Sequence, residues 1–121
     1  MSINDGAMLE HASADFGRGY SFNGPAIWTI PELADGELTN AESMVGAVAI
    51  IKRGGCSFVE KARRAMAAGA IAVVIVNTDD GLMEPGDPNN EGRDISIPVV
   101  LVAASSGEEI DNGVEVKRIG E

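Results

Sequence analysis

A chain of 121 residues with 45% hydrophobic content can bury a core of its own and is expected to form a single domain over residues 1–121. Its formal net charge of −10 sets it against nucleic acid and anionic membranes, whose phosphates would repel such a surface. Only 4% of the residues are aromatic, so the core must be aliphatic. No apolar run in the sequence is long enough to span a bilayer, and the polar opening Met1-Ser-Ile-Asn-Asp5 does not read as a signal peptide.

In the N-terminal third, residues 14–22 and 24–30 alternate aromatic and branched side chains with Gly and Pro, which suits short antiparallel strands with bends. Two sheets are therefore expected, one mixed and one antiparallel. Residues 45–51 and 71–76 are apolar at both odd and even positions and rich in Val and Ile, the pattern of strands covered on both faces. They are predicted to be neighbouring parallel strands, and parallel neighbours require a crossover helix.

The sequence marks both ends of that helix. Ser57 followed by Glu60 is a capping box, and Gly69 can take the left-handed conformation that stops a helix. Between them Phe58, Ala62, Ala65, Met66 and Gly69 form one stripe, expected to face the sheet with Phe58 as its large anchor. Glu60, Arg63, Arg64 and Ala67 lie opposite, with Glu60 and Arg64 spaced to pair. Ahead of the helix, Gly54 and Gly55 are predicted to form a turn that other residues would strain if its φ is positive.

Residues 78–96 contain Asp-Asp-Gly, Glu-Pro-Gly and Asp-Pro-Asn-Asn and are predicted to be irregular, a length of loop that is often functional. Asp79, Asp80, Glu84, Asp87, Glu91 and Asp94 lack the spacing of a calcium loop, so no metal is expected there. Lys52, Arg53, Lys61, Arg63 and Arg64 form the one basic patch, in which Arg53 stands out because it sits at the strand-to-loop junction.

Cys56 is the only cysteine. Its place ahead of a helix N-terminus and near Arg53 favours a thiolate, yet one thiol cannot close an internal disulfide, and a buried or half-buried structural cysteine is the reading preferred. His11, the only histidine, accompanies no nucleophile motif such as Gly-x-Ser-x-Gly. Gly54-Gly55 lies between a strand and a helix, as phosphate cradles do, without either nucleotide-binding signature.

Taken in order, Lys52-Arg-Gly-Gly-Cys-Ser-Phe58, Lys61, Ala65, Ala68-Gly-Ala70 and Ala72-Val-Val-Ile-Val76 resemble the signature of the protease-associated (PA) domain family. In that family an Arg-Gly-x-Cys-x-Phe loop enters a helix ending in Ala-Gly-Ala, followed by a hydrophobic strand. Residues 31–41 resemble the segment before the first core strand, 94–102 the later Ile-Pro strand, and 105–110 and 114–119 the closing helix and strand. The likeness runs over a core of about 14–119. Many members carry a second cysteine upstream, where this chain reads Ala34-Asp35-Gly36.

The resemblance implies a PA-type swivelling β/β/α domain of α/β class, with two small sheets, one mixed with a parallel pair, and two flanking helices. It implies a non-catalytic interaction module beside a protease, sorting receptor or ubiquitin ligase, with no cofactor. It points to Arg53, Gly54, Gly55, Cys56, Ser57 and Phe58 as the ligand platform, and to an endomembrane lumen, vacuolar or extracellular location. The expected partner is a peptide or protein ligand, or a host catalytic domain in the same parent chain. The peptide is expected in a groove between the Arg53 loop and the acidic loop of residues 79–94. The alternative left open is a small cysteine-dependent or nucleotide-binding α/β enzyme centred on Cys56.

Overall fold

In the computed structural model, which describes residues 1–120, the strands are β1 (Ser2–Ile3), β2 (Ala12–Ser13), β3 (Phe22–Trp28), β4 (Val48–Lys52), β5 (Ala72–Val76), β6 (Val99–Val102) and β7 (Glu115–Arg118). Helix α1 (Phe58–Ala67) joins β4 to β5, and a single turn, α2 (Ala104–Gly107), follows β6. The strands make one mixed sheet in the order β1-β7-β3-β4-β5-β6-β2. Neighbours are parallel from β3 to β6 and antiparallel at both ends. As the sequence predicts, β4 and β5 are parallel neighbours, paired from Val48↔Ala72 to Lys52↔Val76.

The two sheets expected from the N-terminal third are thus one hydrogen-bonded sheet, because β3 serves both parts. Phe22 to Pro25 pair with β7 and Ala26 to Trp28 pair with β4. The partner changes at Pro25, which has no N–H to give to a ladder. Residues 14–21, also expected to carry strand, hold none. The sheet rolls far enough for Arg118 Nη2 on β7 to donate to Ser13 Oγ on β2 at 2.7 Å, joining strands that stand near opposite ends of the order.

Strand periodicity splits the core in two. Ala49, Ile51, Val73, Ile75, Val99 and Leu101 face α1, where Val59, Ala62 and Ala65 meet them. Val48, Ile50, Val74, Val76, Val100 and Val102 point the other way and are covered by Phe22, Ala26, Leu9, Ile110 and Val116. Both faces of the parallel strands are therefore closed, which is why their sequences carry no polar alternation.

Helix α1 starts where Ser57 Oγ accepts the Glu60 N–H at 3.1 Å. It ends in a Schellman pair, Ala70 N–H to Ala65 O and Gly69 N–H to Met66 O, with Gly69 at φ +102°. A Cβ on Gly69 would stand 3.1 Å from Val45 Cα. The buried face differs from the expected stripe. Phe58 and Met66 are half-buried, and Val59 and Lys61 are buried in their place. Phe58 opens the first turn with its ring against the Arg53 guanidinium, and the stripe is centred on Ala62 and Ala65 instead.

Ala62 and Ala65 have no exposed surface and set the distance between helix and sheet. Ala62→Leu is expected to overpack this layer and lower stability by about 1–3 kcal/mol in urea unfolding, whereas Ala67→Leu, at an exposed position, should shift it by less than about 0.5 kcal/mol.

Candidate functional site

The C-terminal ends of β3, β4 and β5 open into a cleft of about 500 Å³. Such crevices at the carboxyl ends of parallel strands are where α/β sheets bind ligands. Trp28, Lys52, Arg53, Asn77 and Thr78 line the strand side, and Gly107, Glu108 and Asp111 face them. Trp28 is held by its indole N–H, which donates to Ile110 O at 2.6 Å. The facing wall sits close because Gly107 has no side chain: a Cβ there would come within 2.3 Å of Val76 Cγ1.

Arg53 leaves the sheet with its backbone N–H donating to Val76 O at 2.9 Å. Its guanidinium donates to Asn77 Oδ1 at 3.0 Å and lies 5.6 Å from the centroid of the Phe58 ring, within cation–π range. Asn77 is buried and also accepts from Thr78 N–H at 2.8 Å and donates to Gly81 O at 2.7 Å. One amide therefore fixes both the arginine and the chain leaving β5.

The chain then turns through Gly54 at φ +117° and Gly55 at φ +81°, the left-handed region that glycine tolerates and side chains do not. This turn rests on residues 33–35. A Cβ on Gly55 would stand 3.0 Å from Asp35 Oδ2 and 3.2 Å from Leu33 Cδ1. The Lys61 ammonium, on a residue with 0% exposure, donates to Gly54 O and Leu33 O and so locks the two segments together. Burial pushes the Lys61 pKa below its ordinary value, while Cys56 and Asp35 nearby work against that shift. Arg64 Nη1 adds a bond to Ala34 O at 2.7 Å, and Cys56 Sγ lies 3.6 Å from both partners.

Of the six residues expected to form the ligand platform, Arg53 lines the cleft. Gly54 and Gly55 shape the turn beside it, Cys56 faces Ala34 O, Ser57 caps α1 and Phe58 lies beneath Arg53. The basic patch is dispersed. Lys52 pairs with Glu32 at 3.6 Å, Arg63 with Asp94 at 2.6 Å, Lys61 is internal, and Arg64 binds Ala34 rather than pairing with Glu60.

The acidic loop is not the opposite wall of this cleft: Thr78 lines it, but none of residues 79–94 does. Asp79, Asp80, Asp87 and Asp94 of this loop have partners within the fold. Asp80 Oδ1 accepts Ser105 N–H at 2.9 Å, a bond that holds the Asp80 pKa below its ordinary value. Asp87 accepts from Glu91 and Gly92 N–H, and the Arg63 guanidinium likewise depresses Asp94. Sequence reasoning missed Asn77, which ends an apolar run without any local signal. It also missed the burial of Lys61, although spacings of three from Phe58 and four from Ala65 place Lys61 on the inward side.

Gly54→Val and Gly55→Val are each expected to lower stability by about 1–2 kcal/mol through backbone strain alone. Gly55→Val should lose more because its side chain meets Asp35 and Leu33. Thermal melts that leave both midpoints unchanged would show a loop that tolerates side chains.

A family model described as PA domain matches residues 13–110. Signal peptide peptidase-like 3 of Oryza sativa subsp. japonica is 32% identical over 87 residues, 71% of this chain and 17% of that protein. Aminopeptidase YwaD of Bacillus subtilis (strain 168) is 44% identical over 63 residues, 52% of this chain and 14% of that protein. Among solved structures, BSAP, a zinc aminopeptidase from Bacillus subtilis, superposes with a TM-score of 0.73 at 24% identity, over 96% of this chain and 29% of that one. At this identity the structural likeness is one of fold. The chain spans a small part of each relative's own length, 17% and 14% of the two curated proteins.

Proposed function

The chain belongs to the PA domain family, and on that premise we propose that it is one non-catalytic module that binds peptide segments, or shapes substrate access, for a host catalytic domain in the same parent protein. The observation that carries this reading is the cleft at the ends of β3, β4 and β5, with an arginine held in place at its rim. Lys52 and Arg53 offer donors to peptide carbonyls or a carboxylate. Glu32, Glu108 and Asp111 offer charge to a basic side chain or an amino terminus, and Trp28 an apolar surface. The Gly54–Gly55 turn, Cys56, Ser57 and Phe58 act as the frame that aims Arg53.

The similarity to a signal peptide peptidase-like protein and to an aminopeptidase supports a protease-type host, a sorting receptor or ubiquitin ligase being the other hosts that the family offers. Similarity to ER degradation-enhancing alpha-mannosidase-like protein 3 of Homo sapiens, 35% identical over 78 residues, supports an endomembrane lumen, vacuolar or extracellular setting. Cys56 belongs to the frame in this proposal, its sulfur turned to Ala34 O, and the enzyme alternative requires instead a thiol that alkylates unusually fast.

A few backbone hydrogen bonds and half-exposed charges give a dissociation constant on the order of micromolar or weaker. Titration of the ¹⁵N-labelled chain with a peptide library is expected to shift the Arg53, Gly54, Asn77 and Trp28 signals first. Arg53→Ala is expected to weaken the same binders about tenfold. Binders that shift only signals remote from this cleft, or no binder up to about millimolar concentration, would overturn the proposal.

A further inference from the structure

Two adjoining concavities of about 310 and 440 Å³ share Met8, Leu9, Glu10 and Leu82 and form one groove. None of its lining residues lines the cleft: α2 gives Ala104 and Gly107 to the cleft and Ser105 and Ser106 to the groove. The apolar surface of the groove is Met8, 74% exposed, and Leu82, 42% exposed. Both stand on tied backbone. Met8 bridges Ser2, and the Leu9 N–H beside it donates to Met1 O at 2.7 Å. Leu82 follows Gly81, whose N–H donates to Asp79 Oδ1 at 2.8 Å and whose carbonyl accepts from Asn77 Nδ2 at 2.7 Å. Adjacent apolar side chains held in the open and rimmed by polar groups are the pattern of an interaction site.

The rim carries one sign of charge. Glu10, Asp80 and Glu109 line the groove and are exposed, and the bonds from Ser105 that hold the Asp80 pKa below its ordinary value keep it ionised. No lysine or arginine lines the groove among the described residues, and every lysine and arginine of the sequence lies within them. The ion pairs among those residues are Lys52–Glu32 and Arg63–Asp94, so the three rim carboxylates have no basic partner there. His11 borders the groove, but burial above all holds its pKa below the ordinary value, which leaves it neutral at pH 7. Such a rim repels a second copy of this chain, whose net charge is −10, and an anionic lipid surface, and it attracts a cation.

We propose that this groove docks a segment of a partner protein in which a lysine or arginine is flanked by apolar residues. The cationic head meets the carboxylates of Glu10, Asp80 and Glu109, while its methylene stem and the flanking side chains lie on Met8 and Leu82. The unbranched Met8 side chain adapts to what covers it. All five of these side chains belong to exposed residues, so the segment docks without opening the fold. It also leaves the Arg53 cleft free for a ligand of its own, and the proposal stands independently of that cleft.

The test uses the full chain with ¹³C-methyl methionine and leucine, the Met8 and Leu82 resonances being assigned by their loss in Met8→Ala and Leu82→Ala. The probes are acetyl-Leu-Lys-Leu-amide, the same peptide with norleucine for lysine, which keeps the stem and drops the charge, and the matching Glu peptide. The Lys peptide is expected to shift both resonances saturably, the norleucine peptide to bind about fivefold more weakly, and the Glu peptide to leave them in place. Glu109→Gln is expected to weaken the Lys peptide about two- to fivefold, the size of an exposed charge contact. Equal affinity for the Lys and norleucine peptides, a shift produced by the Glu peptide, an unchanged affinity in Glu109→Gln, the same shifts on concentrating the protein alone, or no shift of these methyls up to about 10 mM peptide would overturn the proposal.

Discussion

The constraint on which the site depends is the burial of the Lys61 ammonium. Moving an ammonium out of water costs several kcal/mol unless oxygens replace its hydration. Here two main-chain carbonyls do so, from Gly54 and Leu33. Neither carbonyl belongs to a helix or strand, so the ammonium needs both loops and both loops need the ammonium. Arg64, three residues on, repeats the arrangement at Ala34, a residue held at φ +47°, where a side chain is disfavoured. Helix α1 thereby fixes two irregular segments from one side and leaves Arg53 at the rim of the cleft, oriented by Asn77.

The sheet supplies the other half of that geometry. Because β4 and β5 are buried on both faces, their positions are set by packing rather than by the loops that follow them. Their C-terminal ends are therefore firm anchors for residues that project beyond the sheet. Arg53 and Asn77 each stand one residue beyond the register pair Lys52↔Val76, which brings them into hydrogen-bond range. Gly107 then lets α2 approach Val76, and the cleft is bounded without any contribution from residues 79–94. The carboxylates of Asp79, Asp80 and Asp87 accept from main-chain N–H groups and that of Asp94 pairs with Arg63, which gives the long segment after β5 its shape.

The sequence carried the central unit clearly because its signals are local. Val and Ile at both parities specify β4 and β5, Ser57 and Gly69 delimit α1 to within a residue, and Gly54-Gly55 marks a turn whose φ values are positive. What was illegible depends on partners distant in the chain. The fusion of two expected sheets into one rests on β3 meeting β7 more than ninety residues later at Phe22↔Arg118, and no pattern within β3 announces it. Lys61 reads as a surface cation because its carbonyl partners have no sequence signature, and it lies 28 residues from Leu33. The expected acidic wall failed for a related reason, since a carboxylate's nearest partner is often its own loop.

The central claim is that a buried ammonium preorganises the loop that aims Arg53. The most direct measurement is the backbone order parameter of Gly54, Gly55 and Cys56 by ¹⁵N relaxation in the parent chain and in Lys61→Met, which keeps an unbranched apolar side chain in the space. The account predicts values near about 0.85 in the parent, falling below about 0.6 in the variant, while Ile50 and Val74 in β4 and β5 keep theirs. Unchanged order in the loop of a folded Lys61→Met chain would contradict it.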